Sequence, residues 1–207
     1  MLAFASAPPC HLARACYPCP SGVNDRRTSL PMLPLTTPRL ILRHWRDSDR
    51  APFSRLNSDP RVMEFMPEIL PPAESDHMAG RIESHFEMYG FGLCAAELRA
   101  DNSFIGYVGL SVPSFEAHFT PCVEIGWRID SAHWGRGLAT EGAREIVRYA
   151  FAVLHLPSLV SFTVPANLRS RRVMEKLNMT RNPADDFDHP LLPEGHPLRR
   201  HVLYRLP

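Results

Sequence analysis

The chain carries almost no net charge: Lys+Arg 23 against Asp+Glu 22 leaves +1 at pH 7. That balance excludes the strongly basic footprint of a broad nucleic-acid grip, and equally a polyacidic tail. No apolar run approaches the roughly 18 residues that a membrane-spanning helix needs. The chain is therefore expected to be soluble and cytoplasmic, with neither nucleic acid nor membrane as partner. It lacks the G-x-x-x-x-G-K-[ST] phosphate loop, and no third glycine follows Gly135 and Gly137 to complete a dinucleotide fingerprint. There is no internal repeat. Residues 1–7 are too short for the apolar stretch of a secretory signal, because Pro8, Pro9 and Cys10 end them.

Proline, by contrast, is abundant at 21 of 207 residues, about twice the usual share. Five of these prolines and three of the 5 cysteines fall in residues 1–31, which show neither helical nor strand periodicity. That segment is expected to be a disordered extension, with Met32 as an alternative start, ahead of a single domain over residues 32–207. Cys16 and Cys19 form a C-x-x-C pair. Its only upstream companions, Cys10 and His11, are adjacent and make a poor ligand geometry. Asp185, Asp186, Asp188, His189, His196 and His201 fit no common ligand spacing either. No metal is expected. Cys94 and Cys122 lie in apolar runs and read as core thiols in a reducing compartment.

From residue 33 onward the pattern is α/β. Residues 39–43 form a short apolar strand. Asp47 or Ser48 is placed to cap a helix carrying Phe53 and Leu56 on one face. Pro71 and Pro72 open a longer helix with Met78, Ile82, Phe86 and Tyr89 at helical spacing, and Gly90 ends it. Strands follow over residues 92–98, 104–112 and 123–129, then a helix over 135–154, a strand over 159–164, a helix over 167–177 and a last strand over 201–206. Strands first, then strand–helix–strand–helix, imply a mixed sheet with one parallel crossover.

The most informative stretch is E-I-G-W-R-I-D-S-A-H-W-G-R-G-L-A, residues 124–139. It runs strand, connection, glycine-spaced turn, helix. Gly135 and Gly137 remove side chains where backbone enters a helix, so amide N–H groups can converge on an anion. The helix start adds unpaired donors and about half a positive charge. Arg136 adds a guanidinium, and a phosphate or pyrophosphate is the natural guest. On the turn alone, tight strand–helix packing explains the two glycines equally well.

Three further pieces accompany it: Asn167-x-x-Ser170 opening the next helix, Lys176-Leu177-Asn178-Met179 closing it, and Thr37-Pro38-Arg39-Leu40-Ile41-Leu42-Arg43 opening the compact region. With W-G-R-G-L-A-T-E behind E-I-G-W, these resemble the GNAT superfamily of acetyl-CoA-dependent N-acetyltransferases, in the branch that acetylates N-termini of ribosomal proteins. The resemblance covers about residues 35–206. It implies a single GNAT-like domain of α/β (α+β mixed) class, with splayed parallel strands in a mixed sheet flanked by helices.

The resemblance also implies roles. The family's phosphate-holding run falls on Trp134, Gly135, Arg136, Gly137, Leu138 and Ala139, continuing to Thr140, with Trp134 departing from the usual Gln or Arg. The pantetheine arm of acetyl-CoA would pair with strand backbone near Ile129 and pass Asn167 and Ser170. Met174 stands near the place of the family's usual Tyr, which removes the usual general acid; Ser170 is then the candidate donor to the leaving thiolate, with Tyr107 and Tyr204 in reserve. Glu124 is the candidate base, since an ionised group in an apolar strand needs a reason and the branch places a Glu there; a structural ion pair with an arginine is the competing explanation. Arg169, Arg171 and Arg172 are either a 3′-phosphate contact or a solvated helix face, and the acidic C-terminal loop is a candidate rim for a cationic amine. The implied reaction is acetyl transfer to a primary amine, foremost a peptide or protein α-amine. A small-molecule amine, a non-catalytic acyl-CoA module and a nucleotide-binding protein are the alternatives. The oligomeric state is monomer or homodimer.

Overall fold

The computed structural model describes residues 34–207. The extension expected over residues 1–31 lies outside the described residues. Nine strands form one mixed sheet. They are β1 (Leu35–Thr36), β2 (Leu40–Arg43), β3 (Leu93–Leu98), β4 (Phe104–Ser111), β5 (Glu124–Ile129), β6 (Leu159–Thr163), β7 (Thr180–Arg181), β8 (Phe187–Asp188) and β9 (Arg200–Leu206). Their order is β1-β2-β3-β4-β5-β6-β9-β7, with β8 on β9. Four helices flank it: α1 (Arg50–Ser58), α2 (Pro72–Tyr89), α3 (Leu138–Ala152) and α4 (Leu168–Lys176). Among the described residues no helix is long and apolar enough to cross a membrane.

Alternation along β4 divides the core. Val108 and Leu110 join Leu40, Leu42, Ile125 and Ile129 beneath Leu138, Ala143, Ile146 and Ala150 of α3. Tyr107 turns to the opposite face and packs with Phe53 and Leu56 of α1 and Ala79 and Ile82 of α2. Such period-2 division is what a strand covered on both faces requires. Pro72 sits at the first position of α2, where its missing N–H costs nothing, and Gly90 closes the helix at φ 74°. Asn178 adopts φ 61° just beyond α4, a conformation asparagine tolerates.

One expectation is corrected. Neither Asp47 nor Ser48 caps the first helix. A 3-10 turn, Asp47–Asp49, precedes α1, and the Asp49 carboxylate accepts the Arg46 N–H at 2.9 Å. Asp49 turns inward because Arg43 is buried and needs counter-charge. Arg43 Nη1 and Nη2 reach Asp49 at 2.6 and 2.9 Å, and its Nε reaches Glu97 at 2.7 Å. Asp49 is 2% exposed and Glu97 3%. This triad ties β2 and β3 to the entry of α1, and hydrogen bonds to Asp49 hold the guanidinium pKa above its ordinary value.

The parallel junction shapes the function. β5 and β6 share one register pair, Glu124↔Val160, with Val160 N–H on Val123 O at 2.9 Å. Beyond it the two strands separate, while β5 stays fully paired to β4 and β6 to β9.

Removing one partner from the buried triad leaves an uncompensated charge. Asp49→Ala should lower the unfolding free energy by about 3 kcal/mol or more in a denaturant titration. Arg148→Ala, which removes only an exposed pair with Glu145 on α3, should leave the midpoint where it was.

Candidate active site

Glu124, Gly126 and Arg128 share one face of β5, opposite Ser111, Gly109 and Tyr107 of β4. This is the α1–α2 face. Glu124 is set deep among protein atoms yet stays partly open to solvent. Burial pushes its carboxyl up to about 7, against the opposing pull of Ser111, whose Oγ donates to Oε2 at 3.3 Å. No arginine or lysine pairs with it among the described residues, so the ion-pair explanation has no partner to invoke. Beside it Gly126 leaves space: a Cβ there would meet only Glu124 Oε1 and Leu93 Cδ2, both at 3.9 Å.

The gap between β5 and β6 begins at this point. Asp130 N–H bonds Ile105 O at 2.8 Å. In an antiparallel ladder that makes 128/107 and 126/109 the hydrogen-bonded pairs, and turns the backbone groups of Trp127 and Ile129 away from β4 into the gap. The Trp134 indole takes Ile129 O at 2.7 Å. The remaining strand donors and acceptors there are an unpaired edge inside a sheet, which favours an extended polar guest.

At the far end of the gap lies the glycine turn. Gly135 and Gly137 hold φ 75° and 76°, and Gly137 is the N-cap of α3. No atom lies within 4 Å of a Cβ built on Gly135, so the left-handed backbone, not crowding, demands glycine there. The first-turn amides of Leu138, Ala139 and Thr140 have no intrahelical acceptor. Glu141 is diverted from them: it accepts Thr37 Oγ1 at 2.6 Å, Arg39 N–H at 2.8 Å and Arg39 Nε at 2.6 Å, while Arg39 Nη1 bonds Arg136 O at 2.9 Å. The T-P-R segment thus braces the turn from behind. An open groove of about 740 Å³ runs from Thr37 and Gly137 along α3 to Lys176; it does not include Glu124, so this groove and the Glu124 carboxylate are separate.

On the other lip, the Asn167 side chain caps α4 by accepting Ser170 N–H at 3.2 Å and donates to Thr163 Oγ1 at 3.0 Å. Ser170 is half-buried one turn on. Among the described residues no hydrogen bond joins it to Glu124. Met174 is 1% exposed and belongs to the core, where a thioether donates nothing. Tyr204 OH is engaged with Arg171 and Glu175, each at 3.3 Å. Tyr107 lies under Arg128, and burial raises its pKa. Arg169 stacks 4.2 Å over the Trp134 ring and bonds Glu64 at 2.7 Å, while Arg171 bonds Pro165 O at 3.0 Å. These two are engaged rather than simply solvated.

The acidic-rim expectation is corrected. Asp185 pairs with Arg205, Asp186 with Arg181, and Asp188 with Arg199 and Arg200. These arginines, mostly from β7 and β9, cancel the charge of the three aspartates that would draw a cation. Phe115, Phe119, Phe162 and Phe187 instead build an aromatic cluster with His189 and His201. Burial depresses both imidazoles, His189 to about 4, so the cluster is neutral at pH 7. Among the described residues no group of three or more His, Cys, Asp or Glu is placed to hold a metal.

The structure also brings in Ser111, Arg128, Glu64 and Glu141, which sequence reasoning did not name for the site. Arg128 had a usable signal, the period-2 step from Glu124; the others are long-range contacts without one.

A family model described as "Acetyltransferase (GNAT) domain" matches residues 39–180. YkkB of Bacillus subtilis is 30% identical over 146 residues, covering 70% of this chain and 84% of that protein. An Aspergillus fumigatus protein named FsC-acetyl coenzyme A-N(2)-transacetylase is 33% identical over 133 residues, 61% of this chain and 56% of its own length. RimJ of Mycobacterium smegmatis, solved with CoA-disulfide, superposes at TM-score 0.64 with 19% identity over 81% of each chain, a likeness of fold.

Burial pushes both the Cys94 and Cys122 thiols up to about 12, so neither is ionised near neutrality. Peptide mapping after iodoacetamide at pH 8 should find both unmodified in the native protein and modified once it is denatured.

Proposed function

Because the chain belongs to the GNAT acetyltransferase family, acetyl-CoA-dependent N-acetyltransferases, we propose that it acetylates the α-amine of a peptide or protein N-terminus, with Glu124 as general base. The observation that carries this reading is the Glu124 carboxyl itself: raised to about 7, free of a cationic partner, and open toward Gly126 at the mouth of the strand gap. A base poised near the working pH is what an amine nucleophile requires, since the amine arrives protonated and must shed a proton before attack. The domain that does this spans residues 32–207.

Acetyl-CoA, when bound, supplies the acetyl group as an activated thioester. The residues present fit it. The turn of Trp134, Gly135, Arg136 and Gly137, with the amides of Leu138, Ala139 and Thr140, holds the pyrophosphate, the reading supported by its left-handed glycines and helix start. Ile129, Asn167 and Ser170 line the arm. A backbone N–H turned into the gap from β5 is the donor available to the developing oxyanion. Glu124 removes the amine proton, directly or through one water. No enzyme thiol takes part. A peptide is favoured over a polyamine because Asp185, Asp186 and Asp188 of the tail are already paired with arginines, which removes the acidic cluster that would hold a multiply charged cation.

Glu124→Gln should cut kcat by roughly 10²–10⁴-fold and leave the acetyl-CoA Kd unchanged in a calorimetric titration. The base works ionised, so wild-type kcat/KM should rise with pH through about 7, and the Gln variant should lose that limb. Undiminished turnover in the Gln variant would remove Glu124 as the base.

A further inference from the structure

Arg128 is the one charged side chain on the Glu124 face of β5 that the proposed chemistry leaves unused. It is half-buried between the sheet and the α1–α2 helices. Its Nη1 bonds Asn57 Oδ1 at 2.6 Å and lies 3.9 Å from Met78 Sδ; its Nη2 lies 3.1 Å from Met66 Sδ. The guanidinium carbon sits 5.5 Å from the Tyr107 ring centroid. These partners are one neutral amide oxygen, two thioethers and an aromatic face. Thioethers are weak acceptors, and the planar guanidinium offers five donors suited to a carboxylate fork.

No carboxylate reaches salt-bridge distance of Arg128 among the described residues, and the nearby acids are committed elsewhere. Asp59, at the end of α1, pairs with Arg61 at 2.9 Å and accepts Ser131 Oγ at 2.6 Å. Glu64 is held by Arg169. Glu124 lies four residues along the strand, about 13 Å away by strand geometry. Gly126, midway, presents no side chain. A half-buried cation without a counter-ion is costly unless a ligand supplies one.

We infer that Arg128 recognises an anionic group on the acceptor, so that the preferred substrate is an amine carrying a carboxylate about two residue steps away, roughly 7 Å. In an N-terminal peptide this is an acidic side chain at the second position. The inference rests on the proposed acetyl transfer for the amine's place beside Glu124 and Gly126. It predicts that a polycationic amine is disfavoured, because its second charge would face Arg128.

The test uses three C-terminally amidated dipeptides, alanyl-aspartate, alanyl-asparagine and alanyl-lysine, with the full chain. Binding to CoA-saturated protein is measured by calorimetry, and acetylation by thiol release. The aspartyl peptide should bind roughly tenfold tighter than its isosteric asparaginyl twin, and the lysyl peptide weakest, with the spread shrinking as salt rises. Arg128→Met should bring the aspartyl/asparaginyl ratio to about one. Asn57→Asp, which places a carboxylate against the guanidinium while keeping the side-chain shape, should do the same without removing Arg128. Equal affinities in the wild type, or a ratio that survives in both variants, overturns the inference. If all three peptides are acetylated alike, acetyl transfer stands and anion recognition falls. If charge-graded binding occurs with no acetyl transferred, recognition stands and the proposed function falls.

Discussion

A parallel ladder that stops after one pair is the constraint on which the rest of this molecule depends. Where Glu124 meets Val160 the sheet is continuous; two residues later β5 presents backbone polar groups to a gap. Buried main-chain donors and acceptors must be satisfied somewhere. The Trp134 indole satisfies one of them, at Ile129 O, and fastens the following turn to the strand that feeds it. The gap then runs from the Glu124–Val160 pair at its closed end to the N-terminus of α3 at its open end. α3 is held in place by Glu141, which grips Thr37 and Arg39, so the N-terminal strands set the angle of the turn although they contribute nothing to the slot itself.

The two faces of β5 do different work. Ile125 and Ile129 are buried beneath α3 and fix the strand by apolar burial. The opposite face carries Glu124, Gly126 and Arg128. An acid and a base on one strand face would ordinarily pair, but four residues of extended chain keep them about 13 Å apart. Their separation lets burial act on the carboxyl unopposed by the guanidinium, which is why the Glu124 pKa rises against the pull of the Ser111 hydrogen bond. Moving the arginine two residues nearer would pull the same carboxyl down, away from neutrality.

The succession of strands and helices was legible because burial writes itself as period 2 or 3.6, and because Pro72, Gly90 and Gly137 sit where backbone demands them. The glycine turn was legible as left-handed backbone entering a helix for the same reason, and its neighbours made the family resemblance. What was not legible depends on pairs far apart in sequence. The two-residue strands β1, β7 and β8 are too short to carry a period. Asp47 or Ser48 looked like the helix cap; it is Asp49 that turns inward, and its partner, Arg43, is specified by the burial of β2 against Glu97 of β3. Asp185, Asp186 and Asp188 looked like a free acidic rim, because a sequence shows the charge of a loop but not the arginines that fold back onto it from β7 and β9.

Met174 completes the picture of how protons are handled. Its burial follows from its place on the core-facing side of α4, and with it goes any proton donor at that point of the slot. The cost is small for chemical reasons. A thiol of ordinary pKa, about 8.5, leaves as a thiolate that is only a modest base, whereas the attacking amine cannot react at all until a proton is removed. In the proposed reaction the demanding proton transfer is therefore at the nucleophile, where the proposed base, Glu124, is a deeply set carboxylate with a hydroxyl partner, no cation among the described residues, and Gly126 beside it. Tyr204 cannot readily serve the departing sulfur, since its hydroxyl is held between Arg171 and Glu175 on α4. In the proposed reaction the catalytic burden therefore falls on Glu124, with the thiolate left to solvent or to Ser170.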